Sequence, residues 1–121
     1  MEIEASKNKD NIYLVKLSGD MDLGSSTQLK DLVMKMIKNR IERVILSLEK
    51  VDTVNSAGIG ALIYISSTLK KLDYPLVVIV PEGRVMQALE VTRLKSYFTI
   101  ASSLKEALSL AAASGTKTAE R

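Results

Sequence analysis

Residues 43–62 read RVILSLEKVDTVNSAGIGAL, and this stretch decides how the chain folds. Val44, Ile45, Leu46 and Leu48 form a short apolar run of the kind found in a strand covered on both faces, and from Ala57 to Leu72 the apolar residues switch to helical spacing. Between them a tight turn at Asn55-Ser56-Ala57-Gly58 sets the Ser56 hydroxyl at a helix start. The first amides of a helix have no partner within it and stand at the positive end of its dipole, so a phosphate on Ser56 fits there. The plain structural alternative is that Ser56 only caps the helix, serine being a favoured N-cap. Gly58 and Gly60 either let a partner approach closely or serve the turn and tight helix packing.

Outward from this stretch, Ile12 to Ser18 alternates as a strand does, with Ile12, Leu14 and Lys16 on one side and Tyr13, Val15 and Leu17 on the other, and Gly19 ends it. A first strand over Glu2 to Ala5 pairs with it across a turn at Asn8 to Asn11. Ser25 with Gln28 matches a capping box, opening a helix whose face carries Leu29, Leu32, Val33, Met36 and Ile37 and which ends near Asn39. Asp73-Tyr74-Pro75 stops the central helix, and Leu76 to Val80 reads as a second buried strand. Pro81-Glu82-Gly83 leads into a short helix with Val85, Met86 and Leu89 inward, and Phe98 to Ala101 is a last strand. Ser103 with Glu106 caps a final helix striped by Leu104, Ala107, Leu108 and Ala111. Strands alternating with helices after an opening strand pair imply an α/β fold, a mixed, mostly parallel sheet of about four to five strands packed with about four helices. Residues 1–113 are expected to form one domain, and 114–121 a frayed tail with nothing to bury.

Composition removes whole classes of chemistry. The 121 residues include neither His nor Cys, which excludes Ser-His-Asp and Cys-His nucleophile systems, disulfides and nearly all structural zinc sites. No apolar run approaches the ~20 residues that span a bilayer, and the N-terminal MEIEASKNKD lacks the apolar core of a secretory signal, so a cytoplasmic chain is expected. The net charge of +3 comes from 17 basic and 14 acidic groups interspersed along the chain, without the interleaved aromatics or motifs of a nucleic-acid binder. Gly58-x-Gly60 is not a dinucleotide fingerprint, because Ile63 stands where the third glycine belongs.

The turn resembles the motif of the STAS domains of bacterial anti-sigma factor antagonists, a hydrophobic strand and short acidic loop followed by Asp-Ser-Ser/Thr/Ala-Gly-Leu/Ile-Gly. Here it reads Asp52-Thr53-Val54-Asn55-Ser56-Ala57-Gly58-Ile59-Gly60, with Asn55 where many members have Asp. The resemblance extends from Leu17-Ser18-Gly19-Asp20-Met21-Asp22 to Ser102–Leu108, and it implies a STAS fold. It implies further that Ser56 is the serine phosphorylated by a partner anti-sigma factor kinase, which brings ATP and Mg2+, and that a serine phosphatase resets it. Unphosphorylated, such a protein binds the kinase and frees a sigma factor; it is not an enzyme and needs no cofactor. The expected partner surface is Asp20, Met21, Asp22, Asp52, Val54, Asn55, Ser56, Ala57, Gly58 and Ile59, with Asp22 matching the Asp of the family's Gly-x-x-Asp loop.

Two rivals share these residues. A STAS accessory subunit of a lipid or anion transporter would need no phosphorylation. A metal-dependent receiver-like domain would gather Asp20, Asp22 and Asp52 at one end of the sheet, with Lys95 as its lysine. Met21, Val54 and Ile59 either form an exposed apolar patch or plug the end of the core.

Overall fold

The computed structural model describes the backbone of residues 2–8 and 10–119 and the side chains of residues 2–8 and 10–112. Its strands are β1 (Glu2–Lys7), β2 (Ile12–Met21), β3 (Arg43–Val54), β4 (Leu76–Ile79) and β5 (Ile100–Ala101). The helices are α1 (Leu23–Lys38), α2 (Ser56–Lys71), α3 (Arg84–Val91) and α4 (Leu104–Ala119), with a single 3-10 turn at Lys95–Tyr97. The sheet order is β1-β2-β3-β4-β5, with β1 antiparallel to β2 and the rest parallel, the α/β architecture the sequence implies. The expected fraying of 114–121 lies outside the residues whose side chains are described.

The strand order explains the layers. Each crossover from β2 to β5 steps one strand further in the same direction, and right-handed crossovers then place α1, α2 and α3 on one face. That face holds the larger core, where Leu29, Val33, Met36, Leu62, Ile65, Leu69, Val85 and Leu89 pack on Val15, Leu17, Val44, Leu46, Leu48 and Val78. The opposite face depends on α4, whose Ala107 and Ala111 lie against Ile12, Ile45, Val77, Ile79 and Ala101. Small residues on α4 let the helix sit close to these β-branched side chains. Burial on both faces accounts for the apolar runs of β3, interrupted only by the buried Ser47, and β4.

Several boundaries depart from the sequence reading. Gly19 does not end β2; at φ 96° it takes a conformation that disfavours side chains, and β2 continues to Met21 through two register shifts. β3 accordingly runs past Leu48 to Val54, pairing Gly19 with Val51, Asp20 with Thr53 and Met21 with Val54. Residues 49–53 offer one apolar position, the buried Val51, among polar neighbours, too little periodicity to mark them as strand. The cap of α1 also moves. Asp22, not Ser25, is the N-cap, and Ser25 is the third helical residue, completing a capping box from the inside. The last strand shrinks to Ile100–Ala101, the two residues that pair with Val78 and Ile79 at the end of the short β4; before it Lys95–Tyr97 form the 3-10 turn, which Ser67 and Lys70 of α2 hold through Tyr97.

Candidate functional site

Parallel strands side by side end at the same edge, so the loops β2–α1 and β3–α2 are neighbours and both lead into helix N-termini. The backbone fastens them together: the Asn55 N–H donates to the Met21 carbonyl at 3.2 Å. Thr53 Oγ1 donates to Asp20 Oδ1 at 2.7 Å. All ten residues expected from the sequence therefore lie on or beside these two loops.

Their exposures sort them. Asp20, Asp22, Asp52, Asn55 and Ser56 are exposed, and Val54, Ala57 and Ile59 are half-buried. Met21 is 1% exposed and belongs to the core, which corrects its place on the expected surface; its side chain plugs the end of the sheet below α2. Gly58 is buried beside it. A Cβ on Gly58 would lie 2.6 Å from Val54 Cγ2 and 2.9 Å from Met21 Cβ, so this glycine exists for close packing, and its φ is not positive. Gly60 is different: a Cβ there meets nothing within 4 Å. Two residues of the surface escaped the sequence reading. Leu23, 71% exposed at the start of α1, supplies the apolar exposure that Met21 does not. Thr53 gave no signal, because its partner Asp20 lies 33 residues away in sequence.

Asn55, not Ser56, caps α2: its side-chain oxygen accepts from the Gly58 N–H at 3.0 Å. Ser56 is thus the first helical residue, and its exposed hydroxyl makes no hydrogen bond among the described residues. With Gly58 N–H on Asn55 Oδ1 and Ile59 N–H on the Asn55 carbonyl, the amides of Ser56 and Ala57 are the first-turn donors without an acceptor in the helix. An anion on Ser56 has those donors at hand. Segments 17–29 and 51–69 contain no Lys or Arg, so neither loop brings a cation to it.

The amide role of Asn55 makes a prediction. Asn55→Ala should cost about 1 kcal/mol, read from denaturant unfolding, whereas Asn55→Asp keeps the acceptor, adds favourable charge at the dipole and should match or exceed the native stability.

Asp22 is the matching cap of α1. Its Oδ1 accepts the Ser25 N–H at 3.0 Å, and its own N–H donates to Ser25 Oγ at 2.9 Å. The Ser25 amide first, and the Ser25 hydroxyl second, hold the Asp22 carboxyl below the usual carboxylate range. A depressed folded pKa contributes stability that is complete above the unfolded value near about 4 and disappears as pH falls through the folded value. Melting of the wild type against Asp22→Asn should therefore show an advantage for Asp at neutral pH that is lost in acid, as the Asp22 carboxyl takes up its proton.

The acids do not converge on a metal. Among the described residues no group of three His, Cys, Asp or Glu could hold one; Asp20 takes the Thr53 hydroxyl and Asp22 caps α1. Lys95, the receiver-like lysine, pairs with Glu90 at 3.6 Å. Among the described residues, no helix is long and apolar enough to cross a membrane.

A mixed sheet whose parallel strands deliver two capped helix starts and one free serine to a single edge is the architecture of a STAS domain, and the chain belongs to that family: the STAS domain model matches residues 4–107. A relative in Staphylococcus aureus, an anti-sigma-B factor antagonist, is 25% identical over 87 residues, 72% of this chain and 81% of the relative. Two solved structures share the fold. The Bacillus cell fate determinant SpoIIAA in its phosphorylated form superposes with a TM-score of 0.70 at 15% identity, covering 89% of this chain and 97% of that one. A sulfate transporter family protein of Wolinella succinogenes gives 0.78 at 17% identity, covering 92% of each.

Proposed function

We propose that this chain is an anti-sigma factor antagonist whose affinity for its partner is set by phosphorylation of Ser56. The observation that carries the reading is the Ser56 hydroxyl itself: exposed, unbonded and at the first position of α2, with Asn55 rather than Ser56 spent on capping. A serine needed for the fold would be engaged. The similarity to an anti-sigma-B factor antagonist, and to SpoIIAA solved with its phosphate, supports the same reading.

In this account the unphosphorylated chain binds an anti-sigma factor kinase in the cytoplasm and frees a sigma factor. The kinase carries ATP and Mg2+ and transfers the phosphate; a serine phosphatase removes it. The chain performs no chemistry beyond offering its hydroxyl. Its contact surface is Asp20, Asp22, Asp52, Val54, Asn55, Ser56, Ala57 and Ile59 with Leu23, resting on Met21 and Gly58 beneath. The phosphate leaves the fold intact because the helix start accepts an anion, and it acts at the interface.

The test is capture of the full chain from its source cell with identification of the bound protein and mapping of phosphate. A bound anti-sigma factor kinase that modifies Ser56 in vitro, and fails on Ser56→Ala, supports the reading. Stable association with a membrane transporter and no phosphate on Ser56 would replace it with the transporter-subunit reading, which the fold of the Wolinella protein keeps open.

A further inference from the structure

We propose that Thr53 is a positioning residue of the partner surface, acting through Asp20; the proposal rests on the antagonist reading and deepens it. Thr53 Oγ1 donates to Asp20 Oδ1 at 2.7 Å, a short bond to a carboxylate. Both residues are exposed, where such a bond adds little to stability. Its position is what matters. The β2–β3 ladder shifts register between Gly19 and Asp20, and Asp20 and Thr53 are the first pair beyond that break. Each stands two residues before a helix cap, Asp20 before Asp22 and Thr53 before Asn55. The side-chain bond thus adds to the backbone pairing just beyond the irregularity and narrows how far the start of α1 can move relative to Ser56.

A surface held in its binding geometry before contact avoids paying the ordering entropy on association. The expected result is a loss of affinity without a loss of fold. Thr53→Val keeps the shape and removes the donor. Binding to the purified anti-sigma factor kinase of the source cell should fall about tenfold, while the melting temperature moves by no more than about 3 °C. Thr53→Ser, which restores the hydroxyl, should recover most of the affinity. In an Asp20→Ala background Thr53→Val should cause no further loss, because the group it acts through is gone. Amide hydrogen exchange at Asn55 and Gly58, whose N–H groups are held by the Met21 carbonyl and the Asn55 side chain, should quicken in Thr53→Val and return in Thr53→Ser.

Native affinity in Thr53→Val overturns the proposal, as does an undiminished loss in the Asp20→Ala background, which would make Thr53 a direct contact. Failure of the antagonist reading looks different: phosphorylated and unphosphorylated chains would bind the kinase equally, or no kinase would bind. Hydrogen exchange still decides in that event, since unchanged exchange at Asn55 and Gly58 in Thr53→Val would show that the bond positions nothing.

Discussion

Gly58→Val should lose at least about 3 kcal/mol of stability, enough to lower the melting temperature by more than about 10 °C for a domain of this size. The added Cβ would stand 2.6 Å from Val54 Cγ2, 2.9 Å from Met21 Cβ and 3.2 Å from the Met21 carbonyl oxygen. Val54 is stiff at χ1, and Met21 Cβ and its carbonyl are fixed to the backbone of β2, so α2 must lift from the strand ends. Gly58→Ala meets the same first contact and should also destabilise, although alanine gains about 1 kcal/mol of helix propensity over glycine. Gly60→Ala carries that gain with open space around the new methyl, and should stabilise by up to about 1 kcal/mol. Two glycines two positions apart thus give shifts of opposite sign in thermal or chemical unfolding. Equal behaviour of the two would contradict the packing described for α2.

Phosphorylation of Ser56 should lower affinity for the kinase at least about 100-fold, about 2.7 kcal/mol, while melting changes little. The phosphate adds about −1.5 to −2 charges to a surface already bearing Asp20, Asp22 and Asp52, with no cation in segments 17–29 or 51–69 to neutralise it. In the free chain it is solvated and held near the Ser56 and Ala57 amides. In a complex it loses water with no cation from these two segments to pair with it, and a charge desolvated without a partner costs several kcal/mol. Ser56→Ala should bind constitutively, and Ser56→Asp should fall between, since a carboxylate has less charge and bulk.

The α/β alternation was legible because buried parallel strands and helices differ in apolar period; Val44–Leu48 and the face Leu29, Val33, Met36 announce themselves. Hidden from periodicity was everything set by pairing rather than burial. Lys50 and Val51 are strand because they pair with Ser18 and Gly19, and Thr53 and Val54 because β2 continues beside them past Gly19, which takes a positive φ. The cap of α1 is misplaced in the sequence reading for the same reason: Asp and Ser neighbours both suit an N-cap, and choosing between Asp22 and Ser25 takes the knowledge of where the strand stops. At α2 the sequence puts Ser56 at the helix start and leaves its capping role open; the cap on Asn55 decides against that role and leaves the Ser56 hydroxyl unengaged. Met21 was ambiguous in sequence because an apolar residue in an acidic loop fits a plug and a patch equally well, and only its burial in the folded core distinguishes them. The Thr53–Asp20 bond, spanning two distant segments, had no local pattern to show it.

The central claim is that one hydroxyl switches one interface without altering the fold. Its most direct measurement is calorimetric titration of the purified kinase with the unmodified chain and with the chain phosphorylated at Ser56, the site verified by mass spectrometry and both forms melted in the same buffer. The account predicts an affinity lower by at least about 100-fold for the phosphorylated form, with melting temperatures within about 3 °C of each other. Equal affinities of the two forms, or a phosphorylated chain that binds weakly only because it has unfolded, would contradict it.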